Sequence, residues 1–432
     1  MERAGSTPSQ IERFLANLER FQQGEKGIIP EAEIEPVESV PQLAELPEES
    51  APLDQAVVIK LNGGLGTSMG LNGPKSLIEI RSGLSFLDIV VKQVQPVGVP
   101  LVLMNSFNTS QESLARLETH QLEQKLPLEF LQSQTPKIRL DLTPAEHPES
   151  HYEWCPPGHG DLYPSLKDSG LLEQLLAAGR RYAFVSNIDN LGATLDGRIL
   201  AWFAASGAPF LMEVTRRTAS DRKGGHLARR DGSLILRELA QCPKEDSQAF
   251  QNIERHRFFN TNNLWLDLEA IARTSPVLPL IVNRKPVKPD EPDSETVIQL
   301  ETAMGAAIGS LPGARALEVP RTRFAPVKTT SDLLVVRSDA YQLKDDFHVE
   351  PRADQLPEVE LDPGYYQTIA QLEELIPHPL SLLKCRKLTV TGPFRFGKEV
   401  VVEGTVELEN PDSTPRPVPD GSLLREGTSL SV

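Results

Sequence analysis

Residues 55–76 read QAVVIKLNGGLGTSMGLNGPKS. A β-branched apolar run opens without a break into Gly63, Gly64 and Gly66, the pattern of a buried strand that ends in a tight loop. Glycine at a strand end lets the backbone take positive φ and bring its N–H groups close to a ligand. Working outward, short apolar runs alternate with helical patterns. PLVLMN (100–105) precedes a helix over about 109–124, and PLEFLQ (127–132) follows it. DSGLLEQLLAAG (168–179) reads as a helix ended by Gly179, and YAFVSNIDN (182–190) as the next buried strand. APFLMEVT (208–215), NNLWLDLEAIAR (262–273) and LPLIVN (278–283) continue the series. This alternation predicts α/β layers around a mixed, mostly parallel sheet. Ligands bind such sheets outside the carboxyl ends of the strands. Three strands end in polar or Gly-rich clusters, NGGLG, QSQ and SNIDN, which points to one site.

Outside this body the texture changes twice. Residues 7–23 carry Ile11, Phe14, Leu15, Leu18 and Phe21 at helical spacing, with Ser9 as a possible N-cap. Residues 28–54, rich in Pro and Glu, read as an extended arm lying over the main domain, with disorder as the alternative. After about residue 380, KLTVTGPFRFGKEVVVEGTVELENP has short β-branched runs punctuated by Gly, which fits a small module of stacked short strands. The expected division is therefore 1–54 (helix and arm), 55–345 (main domain) and 346–432 (linker and β-rich module). At about 150 residues per domain, 432 residues agree with two to three.

Charge narrows the partners. With 44 Lys and Arg against 60 Asp and Glu, the net charge is −16, which disfavours nucleic acid and anionic membrane surfaces. Anionic ligands would have to be held by local lysines and backbone N–H groups against the global field. Cys155, Cys242 and Cys385 lie far apart without CxxC spacing, which argues against a disulfide framework or structural zinc. No apolar stretch approaches the roughly 18 residues of a membrane span, and no apolar leader follows the N-terminal charges. A cytoplasmic protein is expected.

The glycine loop has three readings. Gly64, Gly66 and Gly70 form GxGxxxG, one residue too long for a dinucleotide fingerprint, with Asp88 only a loose fit for its acidic partner. Residues 70–76 end like a phosphate-binding P-loop, but Pro74 before Lys75 interrupts the run of N–H groups that motif uses. The third reading draws on more of the chain. The loop, WCPPGHGDLY (154–163), FVSNIDNLGA (184–193), FLMEVTRRT (210–218), KGG (223–225), RELAQCP (237–243), FFNTNNLW (258–265), VIQLETAMGAAI (297–308) and VPRTRFAPVK (319–328) occur in order. Together they resemble the eukaryotic-type UTP–glucose-1-phosphate uridylyltransferases, the UDP-glucose pyrophosphorylases. The likeness covers about residues 50–345. Related N-acetylhexosamine pyrophosphorylases carry Arg where this chain has Ser68.

The resemblance implies a Rossmann-like nucleotide-diphospho-sugar transferase domain followed by a small parallel β-helix. It implies that UTP and glucose 1-phosphate form UDP-glucose and pyrophosphate by direct attack. Lys75 and Lys328 would neutralise phosphate charge, and Mg²⁺ would supply the rest, with Asp189 as its carboxylate ligand. Leu61, Asn62, Gly63 and Gly64 would pass under the uridine, Gln132 would read the uracil edge, and Gly158 would admit the base. His159, Asn187, Gly225, Glu238, Asn260 and Asn262 would bind substrate, the two asparagines sharing one strand face. Read from the residues alone, Lys75 and His159 could be surface groups, and Asp189, Asn260 and Asn262 turn residues. The acidic stretch DEPDSE (290–295) reads as a solvated loop. The tail ends at LREGTSLSV without the final strand that builds octamers in some family members, so a monomer or dimer is expected. Other classes remain: a broader UDP-sugar pyrophosphorylase, an NAD-dependent oxidoreductase, for which PLVLMNSFN (100–108) offers no acidic ribose ligand, or a non-catalytic nucleotide-sugar sensor.

Overall fold

Alternation along the Ala56–Asn62 strand sets the two faces of the central sheet: Val58 joins one core and Val57 and Ile59 the other. The computed structural model describes residues 1–25, 27–288, 291, 293–353 and 355–427. Its ten-stranded sheet is mixed. Strands Tyr182–Asn187, Ala56–Asn62, Leu101–Asn105 and Glu129–Leu131 run parallel in that spatial order. The long strand Phe258–Asp267 is antiparallel to Tyr182–Asn187 on one side and to Phe210–Arg216 on the other. Arg315–Glu318 returns parallel to Phe210–Arg216. The four neighbouring parallel strands therefore end on one edge, followed by the Gly loop, IDN, SFNT and QSQ. The Val185–Leu264 register brings the first half of Phe258–Asp267 to that same edge.

One core layer packs the Phe86–Val94 helix and the Gly197–Ser206 helix against Val58, Leu103, Phe184 and Trp265. The other packs the Leu162–Asp168 and Leu171–Ala177 helices against Val57, Ile59, Val102 and Val185. The 168–179 stretch holds one helix, Leu171–Ala177, which ends before Gly179 as read but starts three residues later. Gly170, at φ +71°, separates it from the Leu162–Asp168 helix. NNLWLDLEAIAR divides between the end of the Phe258–Asp267 strand and the Leu268–Arg273 helix, capped by Asp267. LPLIVN lies outside the central sheet: Ile281–Pro286 pairs with Thr296–Glu301 in a small sheet of its own. The first helix is Pro8–Gln22, capped by Thr7 in a reciprocal box with Gln10 rather than by Ser9.

The 28–54 segment is extended and docked. Glu35–Pro36 pairs with the His226–Arg230 strand, and Glu31 holds Arg237, Arg255 and His256 at 2.6–2.9 Å. In the tail, Glu358–Leu361, Ser381–Thr391, Val401–Glu409 and Leu423–Leu424 form a parallel ladder. Their inward residues, among them Leu388, Val402 and Val406, belong to the same core as Phe86 and Leu103. Of the 290–295 stretch, Asp290 and Pro292 lie outside the described residues, as do the last five residues of LREGTSLSV. Among the described residues no helix is long and apolar enough to cross a membrane.

Candidate active site

The Gly loop folds back on itself. The N–H of Gly66 donates to the carbonyl of Gly73, and the N–H of Lys75 donates to that of Gly64. Gly63 and Gly64 differ in what surrounds them. A Cβ on Gly63 would lie 2.4 Å from Gln132 Oε1, whereas one on Gly64 would meet nothing within 4 Å. Gln132 also donates through Nε2 to the carbonyl of Gly158 at 3.2 Å, so Gly63, Gln132 and Gly158 stand together. Gly158 has φ +83° and sits against the backbone of Thr302, where any side chain would collide. The Asn62 carboxamide is buried and bonded to Asn105 and Ser113, which leaves its backbone as the part a ligand can reach. His159 accepts from the N–H of Met304 through Nδ1 at 3.0 Å. Burial lowers its pKa, so the ring is neutral with its proton on Nε2.

Lys75 reaches across to Asp189, Nζ to Oδ2, at 2.5 Å. The other oxygen, Oδ1, is buried without a hydrogen-bond partner. An orphan carboxylate oxygen at the strand edge fits one ligand position for a hard divalent cation, whose remaining ligands would be water and substrate phosphate oxygens. Among the described residues no group of three His, Cys, Asp or Glu side chains converges on a metal site. The segment before Lys328 runs beside Asp189: Val327 N–H donates to the Asp189 carbonyl, and Asn190 bridges to Pro326. Lys328 itself is exposed, and among the described residues its ammonium makes no ion pair. Its field works against the burial that raises the Glu238 carboxyl.

Glu238 presses on Gly225, where a Cβ would lie 2.5 Å from Oε2. The Gly225 carbonyl accepts from Asn260 N–H. Asn260 and Asn262 bond each other twice, at 2.8 and 3.0 Å. Strand alternation does not bring this about. Asn262 has φ +58° and sits where the pairing register shifts, so a bulge turns it towards Asn260. Asn187 ends its strand opposite Leu61. Contacts therefore run from Gln132 through Gly63 and Gly64 to Lys75, Asp189 and Val327, and a second set joins Glu238, Gly225 and the asparagines; Lys328 follows Val327 and acts on Glu238 through its charge.

A family model described as UTP--glucose-1-phosphate uridylyltransferase matches residues 11–403. The Saccharomyces cerevisiae UTP--glucose-1-phosphate uridylyltransferase is 41% identical, over 88% of this chain and 79% of its own length. The Solanum tuberosum protein of the same description is 42% identical, over 90% and 84%. A variant of the Leishmania major UDP-glucose pyrophosphorylase, solved in complex with UDP-glucose, superposes with a TM-score of 0.93 at 43% identity, covering 99% of this chain and 97% of that one. The chain belongs to the UTP–glucose-1-phosphate uridylyltransferase family.

Beneath the candidate site of this uridylyltransferase lie residues that sequence reading passed over. Asp161 accepts from Ser133 N–H, Ser133 Oγ and Ser165 Oγ and so fixes the turn that carries Gln132. Glu213, fully buried, binds Arg323 through both oxygens and also accepts from Asn263 and Trp265. Asn190 joins this network through Asn263 and the carbonyl of Arg323. Lys60, 1% exposed, donates to Ser186 Oγ and the Ala193 carbonyl. The signal for Lys60 and Glu213 was a single charged letter inside an apolar strand, VVIKL and FLMEVT.

Proposed function

We propose that this chain transfers the uridylyl group of UTP to glucose 1-phosphate, reversibly, by a single displacement. A phosphate oxygen of glucose 1-phosphate attacks the α-phosphorus, and the bond from that phosphorus to the departing pyrophosphate oxygen breaks. The nucleophile is already anionic near neutral pH, so no general base is needed, and catalysis comes from alignment and charge neutralisation. The observation that carries this reading is the convergence of Gln132, the open backbone at Gly64, Lys75, Asp189 and Lys328 on one sheet edge, in a member of this family.

In this reading Gly64 and Gly63 pass beneath the uridine, and Gln132 supplies an amide to the uracil edge. Lys75 exchanges its Asp189 partner for the pyrophosphate, and Lys328 bridges the phosphates of both substrates. Asn187, Gly225, Glu238, Asn260 and Asn262 line the sugar, with His159 as a neutral donor nearby. Mg²⁺ held by Asp189 would add neutralising charge on the triphosphate. The stacked parallel strands of the tail support reading it as a small β-helix. Cys155, Cys242 and Cys385 are free thiols, which suits a cytoplasmic location. A monomer or dimer completes the reading and is checked by light scattering.

The test is a matrix of UTP, CTP, ATP and GTP against glucose, galactose and mannose 1-phosphates, with and without Mg²⁺, scored by pyrophosphate release. Turnover should be confined to UTP with glucose 1-phosphate and should need the metal. Equal turnover with galactose 1-phosphate would replace this reading by a broader UDP-sugar pyrophosphorylase, and none with any pair would remove the activity.

A further inference from the structure

Lys60 is a costly residue for its place. It shares a strand face with the buried Val58, beside the ring of Phe184, and its side chain is shut off from water. Among the described residues no carboxylate stands within ion-pair distance of its ammonium. The charged groups that face it are Arg323, Glu213 and Asp189, and Glu213 is already matched by Arg323. Burial of an ammonium without an ion pair opposes folding, and an apolar residue of similar length would suit the site better.

What the ammonium does touch explains its presence. Nζ donates at 2.7 Å to Ser186 Oγ and at 2.7 Å to the Ala193 carbonyl. Ser186 is the last buried residue before Asn187, and Ala193 lies at the far end of the loop that carries Asp189. The two bonds therefore staple that loop at entry and exit. Other donors hold the same stretch: Gln93 Nε2 binds the Leu191 carbonyl at 3.1 Å, and Arg323 Nη2 binds that of Thr194 at 2.9 Å. Of these donors, Lys60 alone also stands on the strand that runs directly into Asn62, Gly63 and Gly64.

We propose that Lys60 is a positioning residue for uridylyl transfer, fixing the Asp189 loop against the Gly loop so that Lys75, Asp189 and the triphosphate meet in register. This rests on the uridylyltransferase reading of the site. Lys60 touches no substrate; it acts through Ser186 and Ala193. Burial depresses its pKa to about 7, which agrees with a group kept for geometry at the expense of stability.

The experiment compares wild type with Lys60→Met, Ser186→Ala and the double variant, measuring kcat, KM for each substrate and melting temperature. Lys60→Met should lose about 10- to 100-fold in kcat, as a small misplacement of reacting groups does, with KM for UTP changed less than about threefold. It should melt at or above the wild-type temperature near pH 7. Ser186→Ala, which opens one end of the staple, should lose a smaller part of kcat, and the double variant should be no worse than Lys60→Met, because both act through one device. A Lys60→Met enzyme with kcat within twofold of wild type would overturn the proposal. So would a lower melting temperature in Lys60→Met together with wild-type kcat in Ser186→Ala, the pattern of a purely structural lysine. A wild type that releases no pyrophosphate would instead count against the uridylyltransferase reading.

Discussion

Gly63 and Gly64 are neighbours whose demands come from different places. The Gln132 amide fills the space a side chain at 63 would need, so a side chain there would push that amide off its place. At 64 the space is open, so only a ligand can make glycine necessary. Gly64→Ala should therefore fold with an unchanged melting temperature and raise KM for UTP by about tenfold or more, the cost of a methyl group under a docked nucleotide. An unchanged KM would mean that the nucleotide does not lie over the loop. Lys60 gives a second residue-scale expectation, in stability against pH. Its pKa falls from 10.5 when unfolded to about 7 when folded, through burial first and the Arg323 charge second. Between those values the unfolded chain holds a proton that the folded chain has released, so the Lys60 contribution to stability rises with pH from about 7 towards 10.5. Lys60→Met lacks that rise, and its melting advantage at pH 7 should close by pH 10. A constant difference across that range would mean that Lys60 stays charged in the fold. Sequence reading reached the residues that break a pattern, such as the glycines, Gln132 and SNIDN. It missed Lys60 and Glu213 because one charged residue in an apolar strand carries no sign of the partner that satisfies it, and with Glu213 its partner Arg323.

At the scale of elements, site residues are held in place by groups on other elements. Asp161, at the head of the Leu162–Asp168 helix, holds Ser133 and thereby Gln132. Asp161→Asn should keep the fold, weaken the preference for UTP over CTP and raise KM for UTP several-fold; an unchanged base preference would separate Gln132 from uracil recognition. Glu213 holds Arg323 beneath the loop of Asp189. Glu213→Gln leaves that guanidinium buried without its counter-charge and should cost about 3–5 kcal/mol in a denaturant titration. Strands and helices were legible from periodicity, but two details were not. The bulge at Asn262 arises from a register shift against Phe210–Arg216, which no local pattern encodes. The start of the next helix at Leu171 rather than Asp168 is set by Gly170 in the left-handed region, between two leucine-rich helices that read much alike.

Across the whole molecule, the four neighbouring parallel strands deliver their loops to one edge, and that was readable because three of them end in polar clusters. How the arm and tail attach was not readable, since both use contacts between segments far apart in sequence. The arm is fastened by Glu31 to Arg237, Arg255 and His256. Glu31→Ala should expose residues 28–46 to limited proteolysis while the 55–345 body stays resistant; an unchanged cleavage pattern would mean that the Glu35–Pro36 pairing and Leu43 suffice to hold the arm. The tail shares a core with the main body, and Thr368 packs on Gly70 of the Gly loop. An acidic molecule that handles two polyanions needs local cations at this edge, and Lys75 pairs with Asp189 there while the segment leading to Lys328 runs beside it. A single in-line exchange leaves a stereochemical signature. The most direct measurement is the configuration at the α-phosphorus after transfer from a chiral α-thio UTP to glucose 1-phosphate. Inversion is expected from a single displacement between aligned phosphates, and retention would require a covalent uridylyl-enzyme that has no place in this site.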